Sequence, residues 1–223
     1  MANGIDVSEW QGEIDWNRVK TDFVIIRAGY GKQANQTDKY FEQNYKGCKS
    51  NNIPCGVYWY SYAKSPEDAE REALACLEVI REKQFEYPIY YDVEEQSVLS
   101  MGKTAVSDII RTFLDIVEKN GCFVGLYMSA NALASYVESE ITEKYTVWVA
   151  NYDVPKPDYS GKYGMWQKSA KGRINGIDGD VDINESFENY PDIISNAKLN
   201  GFGKSHKITL IIDGETIIDN YPF

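Results

Sequence analysis

The chain has 223 residues and carries 34 acidic against 23 basic side chains, a formal net charge of -11 at pH 7. Its 43% hydrophobic and 26% charged residues are typical of a globular protein with a sizeable core and exclude a disordered or collagen-like chain. The acidic excess excludes nucleic acid and anionic membrane surfaces as partners. No apolar run approaches the roughly 20 residues that a membrane-spanning helix needs, so we expect no membrane insertion.

Short runs of apolar, β-branched and aromatic residues predict strands in the first part of the chain, spaced at about the length of a βαβ unit. These runs cover residues 5–7, 23–28, 56–60, 88–92 and 123–128. Two amphipathic helices are predicted between them. One begins after the N-cap Ser65, with Pro66 at its first position, and continues to Glu82; the other covers residues 104–120 and ends before Gly121.

The pattern changes after about residue 145. Strand-like runs at 146–150, 164–167 and 181–183 follow one another closely, and no helical pattern separates them. Five βα units followed by three strands predict an α/β fold, an eight-stranded barrel that helices cover incompletely. A doubly wound open sheet is the competing architecture, but the chain contains no GxGxxG motif to support it.

The last residues form a separate pattern. Residues 200–203, Asn-Gly-Phe-Gly, are typical of a linker, and residues 207–212 and 215–219 predict a β-hairpin around Asp213-Gly214. We therefore expect a main domain over residues 1–200 and a linker plus β-hairpin over 201–223. The hairpin is too small to fold alone. It either docks on the main domain or begins a C-terminal module, and we favour the second.

The four cysteines form no CxxC pair, and the only histidine is His206. Zinc sites and Cys/His nucleophiles are therefore poorly supported, and buried thiols are expected instead of a disulfide framework. We expect no cofactor. The amino terminus lacks the basic start and apolar stretch of a secretory signal, which predicts synthesis and retention in the cytoplasm until release.

Four carboxylates fall at predicted strand ends, where parallel α/β barrels carry their working residues. They are Asp6, Asp92, Glu94 and Asp182. Residues two apart on an extended segment point to the same side, so Asp92 and Glu94 can face one substrate and act as the paired carboxylates of a glycosidase. Crowding favours a protonated acid, for which we choose the longer Glu94.

Clustered carboxylates also suit Mg²⁺ or Ca²⁺, which makes a metal site the main rival. Residues 178–185 hint at a calcium loop, but they lack its required glycine and no helix leads into them. We therefore predict no metal ligand.

Aromatic residues gather near the same strand ends and predict stacking walls for a saccharide, although some of them must belong to the core. The predicted sugar contacts are Trp10, Tyr58, Tyr60, Tyr127, Trp148 and Trp166, with Tyr62 and Tyr152 nearby.

Several segments, in this order, resemble the glycoside hydrolases of family 25, the lysozymes or N-acetylmuramidases common among phage endolysins and autolysins. The resemblance covers roughly residues 3–195 and is specific in its opening DVS, its DxE and its late DxN. The segments are GIDVSEWQG with IDW at 4–16, FVIIRAGYG at 23–31, GVYWYSYA at 56–63, PIYYDVE at 88–94, GLYMS at 125–129, VWVANY at 147–152, MWQ at 165–167 and GDVDIN at 179–184.

The resemblance implies a flattened, TIM-like (β/α)5β3 barrel that cleaves the β-1,4 bond between N-acetylmuramic acid and N-acetylglucosamine. Glu94 matches the general acid/base and Asp92 the carboxylate beside it, which either assists attack by the substrate's acetamido group or acts directly. Asp6 and Asp182 match acids that line the cleft. Cleft aromatics are matched by Tyr60, Tyr127, Trp148 and Trp166. The chain departs from many members at Trp59, where they carry histidine.

The resemblance also implies peptidoglycan glycan strands as the partner and action at the bacterial wall after release from the cell. Gram-positive walls are anionic, so a charge of -11 gives no steering toward them and predicts a C-terminal wall-binding module, which residues 201–223 would join or begin. Two alternatives stay open: an inactive cell-wall carbohydrate-binding protein, and a metal-dependent hydrolase on a similar barrel.

Overall fold

The computed structural model describes residues 1–203, 206–212 and 215–221. Eight strands form a closed barrel in chain order: β1 (Ala2–Val7), β2 (Phe23–Tyr30), β3 (Cys55–Tyr60), β4 (Ile89–Asp92), β5 (Val124–Ser129), β6 (Thr146–Ala150), β7 (Met165–Gly172) and β8 (Val181–Ser186). Neighbouring strands from β1 to β7 are parallel, whereas β8 is antiparallel to both β7 and β1. This closure confirms the predicted α/β barrel and excludes the open sheet.

Within the described residues, seven α-helices accompany the strands: α1 (Phe41–Ser50), α2 (Pro66–Val79), α3 (Gln96–Leu99), α4 (Lys103–Lys119), α5 (Ala130–Tyr136), α6 (Ser139–Lys144) and α7 (Tyr190–Asn196). Both predicted helices are confirmed with shifted ends. The side chain of Ser65 caps α2 by accepting a hydrogen bond from the Asp68 N–H. This helix ends at Val79, short of the predicted Glu82, whose backbone has a φ of 63° that a helix does not accommodate.

In the described residues 146–186 no helix separates β6, β7 and β8, as the sequence pattern predicts, but α7 follows the last barrel strand and was not predicted. This helix has proline in its first turn and buries Tyr190 and Ile194. Seven residues are too few to show helical periodicity in a sequence. The first βα unit also departs from expectation, since a short 3-10 helix, Glu9–Gln11, replaces an α-helix after β1.

Alternation along the strands divides the apolar side chains into two layers. The outer layer packs under the helices, as where the Tyr91 ring stacks on Phe113 of α4 with centroids 3.8 Å apart. Gly4 makes room for the inner layer, because a Cβ there would lie 2.3 Å from the Phe23 ring. The inner layer fills the barrel with Phe23, Ile25, Tyr87, Tyr90, Tyr127, Trp148, Met165, Tyr190 and Ile194.

The chain remains attached to the barrel up to the predicted linker. The buried Asn200 side chain accepts a hydrogen bond from the Phe123 N–H and donates one to the Tyr87 carbonyl. Beyond it, β9 (His206–Ile212) and β10 (Glu215–Tyr221) pair antiparallel, and the predicted turn Asp213-Gly214 lies outside the described residues. The division of the chain at residue 200 stays a prediction.

The four cysteines are buried, and no disulfide joins them within residues 1–203. Among the helices of the described ranges, none combines the length and the apolar character needed to cross a membrane.

Candidate active site

The four predicted acids meet at the barrel mouth, where the parallel strands have their carboxyl ends. Asp6 and Asp92 lie at the ends of β1 and β4, Glu94 follows β4 by two residues, and Asp182 lies at the start of the antiparallel β8. Together they form part of one cavity of about 180 Å³. The remaining residues that line it are Tyr58, Tyr127, Trp148, Tyr152 and Gln167.

A larger cavity of about 760 Å³ lies elsewhere, near the amino ends of β4 and β5. Leu77, Phe85 and Asn200 are among its lining residues, and it includes none of the predicted site residues. The position of polar groups, not volume, therefore identifies the candidate site.

Asp6 is held by two amide side chains. Its Oδ2 accepts hydrogen bonds from Gln167 Nε2 and Asn184 Nδ2, each at 2.8 Å. The amides are oriented in turn, because the Tyr127 hydroxyl donates to Gln167 Oε1 at 2.7 Å and the Trp148 indole donates to Asn184 Oδ1 at 2.8 Å. Since two N–H groups point at Oδ2, a proton on Asp6 must reside on Oδ1.

Asp6 and Asp182 form a pair of like charges across β1 and β8, where they are directly opposite each other. Burial raises the pKa of Asp6 well above its usual value, Asp182 raises it further, and the hydrogen bonds from Asn184 and Gln167 oppose the rise. Burial also raises the pKa of Asp182 to about 6. The pair therefore resists carrying two negative charges.

Asp92 is buried like Asp6, with 4% of its surface exposed. Burial raises its pKa well above the usual value, Glu94 and Asp6 raise it further, and Arg27 opposes the rise. Among the described residues its Oδ1 has no hydrogen-bond partner. A buried oxygen without a partner in a cavity is a group that a bound substrate can satisfy.

Glu94 shares the inner face with Asp92, because the buried Val93 between them belongs to the outer layer. The Glu94 side chain is exposed at the mouth. Partial burial, then Asp182 and Glu95, raise its pKa. A carboxyl group that keeps its proton to higher pH and is accessible from solvent can donate that proton to a substrate.

Three of the predicted aromatic residues line the cavity. The Trp148 ring lies 4.5 Å from the Tyr127 ring and 6.2 Å from the Tyr58 ring, as measured between centroids. Tyr60 lies nearby, and its hydroxyl donates to Glu95 Oε2 at 3.3 Å. Burial, then the charges of Glu94 and Asp92, raise the pKa of Tyr60, so this ring is next to the acids.

The structure does not bring the other two predicted aromatic residues into the cavity. Trp166 lies in the outer layer, and its indole donates to the Asn151 carbonyl at 2.8 Å. Trp10 is 80% exposed on the short 3-10 helix after β1. Their contact with a sugar stays a prediction.

The sequence did not single out the amides Gln167 and Asn184 as site residues, and it named Tyr152 only as an aromatic residue near the predicted sugar contacts. Gln167 and Asn184 hold Asp6, and the Tyr152 hydroxyl donates to Gln167 Oε1 at 2.6 Å. Asn184 lies two residues after Asp182 on β8, so strand alternation would have placed both on one face. Gln167 lies two residues after the inward-facing Met165 on β7, so the same alternation was the signal for Gln167.

No group of three or more His, Cys, Asp or Glu side chains is arranged to hold a metal ion in the part of the chain that the structure describes.

Comparison with known proteins identifies a matching family profile and several relatives. The profile described as "Glycosyl hydrolases family 25" matches residues 5–177. YegX of Escherichia coli K12 is 32% identical over 197 residues, which cover 82% of this chain and 68% of YegX. The autolytic lysozyme of Clostridium acetobutylicum is 30% identical over 188 residues, or 83% and 56% of the two chains. The CTP1L endolysin crystal structure superposes with a TM-score of 0.78 at 27% identity, over 88% of this chain and 70% of that one.

Proposed function

The chain belongs to the glycosyl hydrolases of family 25, and we propose that it is a muramidase, which hydrolyses the β-1,4 bond between N-acetylmuramic acid and N-acetylglucosamine in peptidoglycan. The observation that carries this proposal is the meeting of Asp92 and Glu94 in one cavity with pKa values raised. Glycosidases need such a pair, with one member protonated. The names of the relatives, a lysozyme and an endolysin, support peptidoglycan as the substrate.

Glu94 acts as the general acid and then as the general base. Its raised pKa keeps the proton available for the glycosidic oxygen, and its exposure at the mouth lets a polymer reach it. After the aglycone leaves, the ionised Glu94 removes a proton from the attacking water.

Asp92 is the partner carboxylate. Its ionised form stabilises the positive charge that develops on the sugar, and its unpaired Oδ1 is free to contact the reacting sugar. Arg27 opposes the rise in the Asp92 pKa and so favours this ionised form. Asp6 and Asp182 extend the negative potential of the cavity, while Gln167 and Asn184 fix the Asp6 carboxylate.

Trp148, Tyr127 and Tyr58 form the inner wall against which a sugar ring packs, and Tyr60 extends this wall at the mouth. Aromatic faces suit the apolar faces of sugars, and their polar tips supply hydrogen bonds. We also propose that residues 201–223 join the catalytic barrel to a wall-binding module, because the net charge of -11 provides no attraction to an anionic wall.

The decisive experiment is mass spectrometry of purified Gram-positive peptidoglycan digested with the wild type and with Glu94→Gln, each with and without EDTA. We expect muropeptides that end in reducing N-acetylmuramic acid, formed in EDTA and lost in the variant. Glu140→Gln, an exposed substitution in α6, is the matched control and should remain active.

Three results would contradict the proposal. Cleavage at another bond would refute the muramidase activity, and loss of activity in EDTA would favour a metal-dependent hydrolase. Binding of peptidoglycan without any cleavage would favour a carbohydrate-binding protein.

A further inference from the structure

A carboxylate outside the reaction cavity is completely buried on helix α2. This residue, Glu72, has no exposed surface. Its Oε1 accepts the Tyr62 N–H at 2.8 Å, and its Oε2 accepts the Tyr91 hydroxyl at 2.7 Å. Burying a carboxylate is costly, so an acid at this position needs a function that an apolar residue would not provide.

The contacts of Glu72 continue through two hydroxyl groups. The Tyr91 hydroxyl lies 2.7 Å from the Ser61 hydroxyl, whose oxygen accepts the Ala63 N–H at 3.2 Å. Because Tyr91 donates its proton to Glu72, Ser61 donates to Tyr91. The Tyr91 ring is fixed against Phe113, so Glu72 connects the chain after β3 to a rigid part of β4.

This connection lies directly behind the mouth of the barrel. The Ser61 N–H donates to the Asp92 carbonyl at 2.9 Å, and Tyr60 is in register with Asp92. The Tyr60 and Tyr62 rings lie 5.0 Å apart, and Tyr60 contacts Glu95 at the rim. A displacement of residues 60–62 would therefore move two rings relative to the catalytic acids.

We propose that Glu72 is a positioning residue, which holds Tyr60 and Tyr62 as a glycan-binding wall at a fixed distance from Asp92. The proposal rests on the proposed function for the identity of the ligand, a peptidoglycan glycan strand. Glu72 itself lies behind the wall and does not touch the strand. Its raised pKa, caused first by burial, is consistent with its enclosed position.

The chain offers a matched control at the other end of the same strand. Glu86 Oε2 accepts the N–H of Cys55, the first residue of β3, at 3.0 Å. Glu72→Met and Glu86→Met each remove one acceptor for a backbone N–H of β3 or its extension. A purely structural role predicts loss of stability in both variants, whereas the positioning role predicts that only Glu72→Met changes glycan binding.

The test measures KM and kcat on soluble, uncross-linked glycan strands, together with thermal unfolding. For Glu72→Met we expect KM to rise about tenfold and kcat to stay within about twofold. Glu72→Gln should recover most of the affinity, because its amide oxygen still accepts the Tyr62 N–H while the Tyr91 and Ser61 hydroxyls reverse direction. An unchanged KM in Glu72→Met, or an equal rise in Glu86→Met, would overturn the proposal.

Two further measurements test the proposal if Glu72→Met does not fold or if the wild type does not cleave the strands. Tyr91→Phe removes the hydroxyl that bonds Glu72 and Ser61 but leaves the Glu72 bond to the Tyr62 N–H, so the variant should fold. We expect its KM to rise about threefold, and an unchanged value would count against the proposal. Equilibrium binding of the same strands is measured in a Glu94→Gln background, with and without Glu72→Met. If the wild type binds strands without cutting them, the proposed function fails. A tenfold higher dissociation constant in the variant with Glu72→Met would still support the role of Glu72, and an unchanged dissociation constant would refute it.

Discussion

Asp6 and Asp182 are directly opposed in the antiparallel register of β1 and β8, and both line the cavity that contains Asp92 and Glu94. Facing residues in such a pair have Cβ atoms about 4.5–5.5 Å apart, so two ionised carboxylates repel each other. This repulsion therefore reduces the free energy of unfolding at neutral pH. The same repulsion favours protonated carboxyl groups in the cluster.

Asp182→Asn should increase stability at neutral pH. The folded-state pKa of Asp182, about 6, exceeds the usual 3.8, so its favourable contribution is present below about pH 4 and is lost as pH rises through 6. At pH 7.5 we expect the variant to gain about 1–2 kcal/mol after allowance for solvent screening, and at pH 4 almost nothing. Urea unfolding at both pH values measures this. Asp180→Asn is the control, and an equal gain at both pH values would refute the electrostatic cause.

The same substitution should shift the pH profile of the reaction. After burial, Asp182 is the largest cause that raises the pKa of Glu94. A general acid becomes inactive as pH rises through its pKa, so Asp182→Asn should move the alkaline limb of kcat/KM to lower pH. Glu95→Gln should move it in the same direction by less. If the alkaline limb of kcat/KM does not move in an active variant, a group other than Glu94 determines it.

Much of this architecture could be predicted from sequence, because buried strands are short apolar runs and the four acids occur where those runs end. The contacts of Gln167 and Asn184 could not be predicted from sequence, because they depend on which residues of β7 and β8 face inward. The pairing of β7 with β8 shifts register after Gln167, so simple alternation does not continue along that hairpin. Trp166 illustrates the limit: alternation separates it from Gln167, but only the closed barrel determines which of the two faces the cavity.

Trp148 and Trp166 should respond differently to substitution by phenylalanine. Trp148→Phe removes the indole that orients Asn184, so Asp6 loses a fixed donor, and we expect kcat/KM to fall about tenfold. Trp166→Phe should keep activity within about twofold and lose about 1–3 kcal/mol of stability, because its ring and hydrogen bond belong to the outer layer. Kinetics and urea unfolding of both variants decide this. A large loss of activity with unchanged stability in Trp166→Phe would place Trp166 in sugar binding.

The orientation of the Gln167 amide should depend on both of its phenol partners. The Tyr127 and Tyr152 hydroxyls both donate to Gln167 Oε1, which keeps Nε2 directed at Asp6. Either Tyr→Phe variant leaves one donor in place, so each should reduce kcat by no more than about threefold. The double variant allows the amide to rotate and should lose more than the product of the single effects. Strict additivity in this cycle would show that the phenols act independently of Gln167.

The ionic strength dependence of wall hydrolysis should reveal the effect of the net charge. An enzyme of charge -11 is repelled by an anionic wall, and the range of this repulsion falls from about 30 Å at 0.01 M salt to about 8 Å at 0.15 M. We expect the rate on intact Gram-positive walls to rise several-fold over this interval. Short soluble glycan fragments, which carry far less charge than an intact wall, are the control substrate, and the rate of their hydrolysis should change much less with salt. A wall rate that falls with salt would mean that the chain carries an electrostatic attraction to walls, and it would remove the reason to expect a wall-binding module beyond residue 200.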